Sequence, residues 1–188
     1  AAMAAVDGFV RAPEAGGSLL GAWVSELGPQ SQILLLRGFD SREALGEERE
    51  RVLVNADPFG LGDMLAGLRM ESHAGFPGVA PVAPGDHGPV YEFRTYRMKV
   101  GGLAPTLQAW EKGVPARARL SPLVGVFYAL DGEPRFTHIW AYRSFEERMR
   151  IRAEAVSAGV WPAKGAPAWL TTDLKSEIWM PTALSPLQ

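Results

Sequence analysis

The chain has 188 residues, a formal net charge of -2 at pH 7 and no cysteine. It therefore cannot form disulfides, thiolate nucleophiles or zinc–thiolate sites. The sequence has no run of lysine or arginine, which argues against nucleic acid as a partner. No apolar stretch approaches the ~20 residues that span a bilayer, so we expect no membrane span and a cytoplasmic location.

The first part of the chain predicts one helix followed by two strands. Met3, Val6 and Val10 recur at the spacing of one buried helical face. Two apolar segments follow, "LLGAWVSELG" (19–28) and "QILLLRGFDSREAL" (32–45), with a turn between them. The second segment runs into a charged helix.

The stretch "GFPGVAPVAPGDHGP" (75–89) contains four prolines and four glycines. This composition excludes a regular helix and favours an extended linker. We therefore expect two units, residues 1–74 and residues 90–188, on either side of it.

The second unit predicts a longer series of elements. "VYEFRTYRMKV" (90–100) is rich in β-branched and aromatic residues, as in a strand. The helical spacing of the next apolar residues places Leu103, Leu107, Trp110 and Val114 on one face. Two more strands, a helix and a last strand then follow in "LVGVFYALDG" (123–132), "RFTHIWAYRSFEER" (135–148) and "SEIWM" (176–180).

The two units repeat the same pattern. The strand pairs align with Gly21 over Gly125, Trp23 over Phe127, Gly28 over Gly132, Phe39 over Tyr142 and Ser41 over Ser144. A helix cap follows each pair, because Ser144 with Glu147, and Asp40 with Glu43, have the spacing of a capping box. The charged segments "EERER" (47–51) and "RSFEERMRIR" (143–152) are typical of solvated helix faces.

The order of elements in the second unit is βαββαβ, which predicts a ferredoxin-like α+β fold with two helices on one face of an antiparallel sheet. The open face of such a sheet needs a partner, and the first unit can supply it. The first unit lacks its opening strand in this sequence.

Three motifs in the second unit resemble the NIPSNAP family. They are "YEFRTYRMKVGGL", "LVGVFYALDG" and "FTHIWAYRSFEERMRIRAEA", in the family's order and spacing. The resemblance covers residues 90–186, and residues 1–74 depart from the family pattern. It implies the dimeric α/β-barrel superfamily, in which two ferredoxin-like sheets face each other, and we expect a homo-oligomer. That superfamily includes cofactor-independent monooxygenases, isomerases, haem-binding enzymes and ligand-binding modules, and a fold alone does not select among them.

Alternation along the strands places chemically active side chains on one face. Glu92, Arg94 and Tyr96 share a face of the first strand. Buried charges are costly unless they meet each other or a ligand. Glu92 and Arg94 are therefore either a structural ion pair or part of a site.

His138 is the main catalytic candidate, because an imidazole can move a proton at neutral pH without a cofactor. It could act as a general base, a general acid or a haem ligand, or it could be a hydrogen-bonded core residue. The first unit has Leu35 at its position, Arg37 at that of Trp140 and Phe39 at that of Tyr142. This difference favours a pocket confined to the second unit.

The aromatic residues of the second unit could line such a pocket or belong to the core. The substrate-binding candidates are Tyr96, Trp110, Tyr128, Trp140 and Tyr142. We expect a small-molecule protein, acting on a flat apolar metabolite by acid/base chemistry or cofactor-independent oxygenation, with His138, Arg94 and Glu92 as catalytic candidates. A non-catalytic binding or assembly module is the alternative, and a haem protein is a further one. The scattered histidines predict no metal site.

Overall fold

A computed structural model describes residues 2–188 as an antiparallel sheet with helices packed on it. The helices are α1 (Ala2–Val10), α2 (Arg42–Val54), α3 (Leu103–Arg117) and α4 (Phe145–Ser157). The strands are β1 (Ser18–Leu27), β2 (Ile33–Gly38), β3 (His73–Gly75), β4 (Val90–Met98), β5 (Leu123–Ala129), β6 (Arg135–Tyr142) and β7 (Leu170–Pro181). In this range, none of the helices combines the length and apolar character needed to cross a membrane.

The C-terminal half has the ferredoxin-like topology. Its strands lie side by side in the order β7-β4-β6-β5, and every neighbouring pair is antiparallel. Helix α3 connects β4 to β5, and α4 connects β6 to β7. The predicted βαββαβ order and the α+β fold class are confirmed.

The N-terminal half contains α1, β1, β2, α2 and β3, so no counterpart of β4 precedes α1 in residues 2–188. The two halves join reciprocally, because β1 pairs with β7 and β3 pairs with β5. The result is one seven-stranded sheet with the order β2-β1-β7-β4-β6-β5-β3. In the second half, β4 lies between β6 and β7. The corresponding strands of the first half are β2 and β3, and these two are the edges of the sheet.

The repeat is visible in the backbone as well as in the sequence. The pairing of β1 with β2 shifts register between Leu19 and Gly21, and the pairing of β5 with β6 shifts between Leu123 and Gly125. A Cβ at Gly21 would lie 1.9 Å from the Trp23 ring, and one at Gly125 would lie 2.5 Å from the corresponding Phe127 ring. In both halves a glycine makes room for the aromatic ring two residues later.

Both predicted helix starts exist, but one cap was assigned to the wrong residue. Ser144 caps α4, accepting a hydrogen bond from the Glu147 backbone N–H, as predicted. At α2 the cap is Ser41, which accepts from the Ala44 N–H. Asp and Ser are both favoured at this position, so the adjacent Asp40 was an equally good candidate from sequence.

One face of the sheet encloses a core of large apolar side chains. Trp23 of β1 lies edge-on to Phe93 of β4 with ring centroids 5.1 Å apart, although β7 separates the two strands. The sheet therefore curls around this core. Val82 packs on the same core and Gly85 bridges to Leu187, so the segment 75–89 is held against the fold. That it divides two domains stays a prediction.

The opposite face of the C-terminal sheet lies under α3 and α4. Trp110 of α3 packs on Phe136 of β6, with ring centroids 5.2 Å apart. Ile151 of α4 belongs to a second buried cluster with Trp140. The row of side chains that contains His138 therefore lies between the sheet and its helices, and not on the inner face.

Candidate functional site

A cavity of about 200 Å³ lies between the C-terminal sheet and its helices. This volume exceeds the space of a single water many times over and suits a small organic molecule. Strands β4 and β6, helices α3 and α4 and the segment after α4 all contribute to it. Its walls are formed by Arg94, Tyr96, Arg117, His138, Trp140, Tyr142, Arg152, Ala155, Val156, Trp161 and Pro162.

The register of two antiparallel strands brings the polar side chains together. Arg94 is paired with His138, and Glu92 is paired with Trp140. Since directly opposite residues of an antiparallel pair project to the same side, these four side chains share one face. The helices cover this face, which places charged groups in a buried layer.

Glu92 is the centre of an arginine cluster. Its side chain has no exposed surface, and its Oε1 accepts hydrogen bonds from Arg94 at 2.6 Å and Arg148 at 2.5 Å. The Ser176 hydroxyl donates to the same oxygen at 2.7 Å, and Arg152 lies 3.5 Å from it. The Glu92–Arg94 ion pair, one of the two alternatives left open by the sequence, is present within this larger cluster.

The cluster keeps Glu92 ionised. Burial acts to raise the pKa of this carboxyl, but the hydrogen bond from Arg148 and the charge of Arg94 outweigh it and lower the pKa to about 2. Glu92 is therefore a poor proton acceptor at neutral pH. Its direct contribution is to hold guanidinium groups at the cavity.

Arg117 is buried beside the cavity without a carboxylate. Its side chain is 2% exposed, and its guanidinium donates to the Ser121 hydroxyl at 2.8 Å and to the Tyr142 hydroxyl at 3.1 Å. It stacks on the Trp140 ring at 4.1 Å. Among residues 2–188 no acidic side chain forms a salt bridge with it, and burial lowers the pKa of Arg117. The Tyr142 hydroxyl, which accepts from Arg117, donates to Glu92 Oε2 at 3.4 Å and so links the two residues.

His138 is fully buried and held in one tautomer. Its Nδ1 accepts a 2.7 Å hydrogen bond from the indole N–H of Trp140. Burial and the charge of Arg94 lower the pKa of His138 well below its ordinary value, so the ring is neutral. Because an indole nitrogen only donates, the single ring proton must be on Nε2. No group among the described residues accepts that proton.

The predicted site residues divide into three groups. Five of them line the cavity: Arg94, Tyr96, His138, Trp140 and Tyr142. Glu92 lies behind the wall and organises it through Arg94. Trp110 packs on the His138 ring at 4.7 Å as part of the core, and Tyr128 lies at a separate hollow near the β5–β6 turn.

Helix residues complete the site, and the sequence reasoning missed them. The interpretation of residues 143–152 as a solvated face was wrong for Arg148 and Arg152, which turn towards Glu92. It was also wrong for Glu48 in the first half, which is 5% exposed. The available signal was spacing, since Arg148 and Arg152 lie one turn apart and each is followed three residues later by a buried residue, Ile151 and Ala155.

The cavity does not fit a haem with His138 as its ligand. A haem-ligating histidine donates its second ring N–H to a neighbour, whereas Nδ1 of His138 accepts a hydrogen bond from the Trp140 indole N–H. The ring is also enclosed by aromatic side chains, among them Phe136 and Trp161. For metal ions, the part of the chain described by the structure contains no group of three or more His, Asp or Glu side chains placed to hold one.

The N-terminal half has a different arrangement at the same place. Arg37 of β2 and Arg51 of α2 both bond to Glu48 of α2. The Gly16 N–H donates to Glu48 at 3.0 Å, and the Gly16 carbonyl accepts from Arg37. Burial acts to raise the pKa of Glu48, but the hydrogen bonds from Arg51 and Gly16 lower it to about 2. The carboxylate and both guanidiniums are all paired here.

The sequence of this chain is similar to one protein family and to several curated proteins. The family model described as NIPSNAP matches residues 91–186. The chain is 30% identical over 163 residues to "Protein NipSnap homolog" of Dictyostelium discoideum, covering 78% of this chain and 66% of that protein. It spans less than two thirds of the length of the curated relatives it matches.

Two solved structures cover nearly the whole chain. An anthrone oxidase-like protein is similar with a TM-score of 0.60 and 14% identity, over 94% of this chain and 80% of that one. A protein of Lactobacillus acidophilus, described as a proposed monooxygenase, has a TM-score of 0.63 and 10% identity, over 96% and 83%. At these identities the likeness establishes the fold alone.

Proposed function

This chain belongs to the NIPSNAP family, and we propose that its C-terminal half binds a small, flat, largely apolar molecule between sheet and helices and stabilises negative charge on one of its oxygens. The reaction class is acid/base chemistry on an enol or phenol. Isomerisation and cofactor-independent oxygenation can both begin from the same oxyanion.

The observation that carries the proposal is the Nε2–H group of His138. This donor is buried, belongs to a residue that lines the cavity, and has no acceptor in residues 2–188. An unsatisfied buried donor costs about 1–3 kcal/mol, so a ligand oxygen that accepts from it gains that amount. Enzymes use a neutral imidazole in this way to polarise a carbonyl.

The surrounding side chains suit a flat substrate. Tyr96, Trp140 and Trp161 present rings to the cavity, and flat apolar molecules stack on such rings. Arg94 lies at the same wall and adds positive charge near the oxygen that His138 would meet. Both groups favour the ionised form of a bound hydroxyl, whose proton then leaves to solvent.

The role assigned to His138 is that of a hydrogen-bond donor. A general base must present a lone pair, but the Nδ1 lone pair already accepts from Trp140. Moving the ring proton to Nδ1 would break that bond, because the Nδ1–H of His138 would then face the indole N–H of Trp140 and neither could accept. Proton transfer by His138 is therefore a secondary possibility within the same proposal.

A phenol that changes colour on ionisation tests this function. We expect 4-nitrophenol to bind and to ionise at lower pH than in buffer, read as phenolate absorbance across a pH titration. His138→Leu should raise the apparent pKa of the bound phenol by about one or more, because a hydrogen bond to a charged group contributes about 1.5–3 kcal/mol. His87→Leu, at a half-buried position that does not line the cavity, is the control.

Stability measured on the same variants separates a site from a core role. Lost ionisation with an unchanged midpoint of urea unfolding supports the site. A loss of about 2 kcal/mol in unfolding free energy with unchanged phenol binding would assign His138 to the core.

Native mass spectrometry of the purified protein would identify any co-purified molecule. Phenol binding without turnover of any enol or phenol would favour a non-catalytic binding module.

A cytoplasmic location and self-association of the chain stay predictions. Light scattering on the purified protein measures its mass in solution. A mass of one chain at micromolar concentration would contradict self-association.

A further inference from the structure

We infer that the ligand of this cavity is an organic acid, whose carboxylate is held by the guanidinium groups of Arg117, Arg94 and Arg152 while its flat apolar part lies against the aromatic wall. This inference names the substrate class and rests on the proposed function.

Arg117 is the first reason. A guanidinium stays charged in a protein, and burying such a charge without a counter-ion costs several kcal/mol. Arg117 is only 2% exposed. Its guanidinium donates hydrogen bonds to two hydroxyl groups and stacks on one aromatic ring, but it contacts no carboxylate among residues 2–188. Since it borders a cavity, an anionic ligand can supply the missing charge.

The charge balance of the whole cluster is the second reason. Arg94, Arg148 and Arg152 form their salt bridges with one shared carboxylate, Glu92, and with no other acidic group in residues 2–188. Arg117 adds a fourth positive charge nearby. Four guanidiniums around one carboxylate leave an excess of positive charge at a partly buried site, with Arg117 at its buried end. A bound anion reduces this excess.

The form of the walls selects a carboxylate attached to a ring. Guanidinium groups present planar pairs of N–H donors that match the two oxygens of a carboxylate. Trp140 stacks on Arg117 and lines the cavity beside Tyr96, which places apolar rings next to the charged end. A free phosphate would leave those rings without a partner. An aryl carboxylate satisfies both ends.

The cavity is open at the rim where the anion would enter. Arg152 is 40% exposed and Val156 is 63% exposed, and both belong to the wall. A positive side chain at the mouth of a cleft attracts an anion from solution. Arg152 is thus an entry residue, and Arg117 is the buried end of the site.

Benzoate and benzamide are the probes that test this inference. They have nearly the same shape, but only benzoate is charged at neutral pH. Calorimetric titration of the whole chain at pH 7 should show benzoate binding at least about tenfold tighter than benzamide. Arg117→Gln should weaken benzoate about ten- to hundredfold and leave benzamide nearly unchanged.

Two further variants make the result independent of folding defects. Arg152→Gln, at the partly exposed rim, should weaken benzoate roughly tenfold even if Arg117→Gln does not fold. Arg150→Gln is the matched control, since Arg150 lies on the same helix, is 64% exposed and pairs with Glu154 at 3.3 Å. It removes the same charge from the chain and should leave benzoate binding unchanged.

The outcomes distinguish the two proposals. Equal binding of benzoate and benzamide, with 4-nitrophenol still ionised by the protein, would overturn the organic-acid inference and leave the proposed function standing. Tighter binding of inorganic phosphate than of benzoate would also overturn it. If neither aromatic probe nor 4-nitrophenol binds, the inference and the proposed function fail together.

Discussion

The two halves of the molecule both bury arginines between sheet and helix, but at different positions of the repeat and with carboxylates from different elements. In the N-terminal half the carboxylate comes from the helix, as Glu48 of α2, and meets Arg37 of β2. In the C-terminal half the carboxylate comes from the strand, as Glu92 of β4, and meets Arg148 and Arg152 of α4. In both halves strand and helix each contribute arginine, and the exchange between the halves is in the element that supplies the carboxylate.

The repeat explains this exchange. Aligned on their caps, the helices place Glu48 over Ile151, and the strands place Arg37 over Trp140. A buried ion pair in the first half thus replaces a buried apolar contact in the second.

The halves differ in charge balance, and this separates a structural cluster from a binding site. Glu48 serves Arg37 and Arg51, and backbone carbonyls of Gly16 and Phe9 accept from the same two arginines. The Nε–H of Arg37 has no acceptor in residues 2–188. Glu48 and Glu14 nevertheless supply two carboxylates for the two guanidinium groups, so the cluster needs no anionic ligand. The cluster around Glu92 has more guanidiniums than one carboxylate can pair, and it borders a cavity.

The largest expected effect is the loss of the C-terminal carboxylate. Glu92→Gln leaves Arg94, Arg148 and Arg152 without a charged partner and should lower the unfolding free energy by about 3–5 kcal/mol. Glu48→Gln should cost less, because carbonyl acceptors remain for Arg37 and Arg51. Urea unfolding at pH 7 gives both values. An equal or larger loss for Glu48→Gln would contradict the distinction between the clusters.

Both carboxylates should make the fold sensitive to acid. The pKa of Glu48 and of Glu92 is lowered from 4.5 to about 2 by folding. A lowered pKa stabilises the folded state above pH 4.5, and this contribution is lost as the pH falls towards 2. Each carboxylate then accounts for about 3 kcal/mol. Urea midpoints from pH 6 to pH 2.5 measure the loss, and a flat profile below pH 4.5 would refute it.

Converting the first half towards the second tests whether the ion pair has only a structural role. Glu48→Ile alone leaves Arg37 without a carboxylate and leaves Arg51 with Glu14 at 3.9 Å, so it should be destabilising. Adding Arg37→Leu removes the guanidinium that has lost its carboxylate, so the double variant should recover about 1–2 kcal/mol relative to the sum of the single changes. The cycle is measured by urea unfolding at pH 7. Strict additivity would show that the two residues are not coupled.

Strand alternation and the repeat were sufficient to predict most of the fold and about half of the side chains that line the cavity. The paired motifs around Gly21 and Gly125 correspond to the same backbone irregularity in both halves. The period of two along β6 placed His138, Trp140 and Tyr142 on one face, and all three line the cavity.

The helix residues of the site could not be predicted in the same way. Whether Arg117 and Arg152 turn towards solvent or towards the sheet depends on how α3 and α4 pack, which is a tertiary property. A charged helix face normally faces water, and this general rule led to the wrong interpretation of Arg148 and Glu48. Arg148 turns inward because its partner Glu92, which is distant in sequence, is buried beneath the helix.

The smallest expected effect is on the pH dependence of stability and concerns one side chain. His138→Leu gives the second half the residue that the first half has at the aligned position, Leu35. Burial lowers the pKa of His138 well below 6.5, so protons bind the unfolded chain first as the pH falls. The parent should therefore lose about 1.4 kcal/mol per pH unit below pH 6.5 through this residue, and His138→Leu should not. Trp140→Phe keeps the imidazole and should retain the slope. Urea midpoints between pH 7 and pH 5.5 measure the difference, and equal slopes in the parent and His138→Leu would show that His138 is not held neutral.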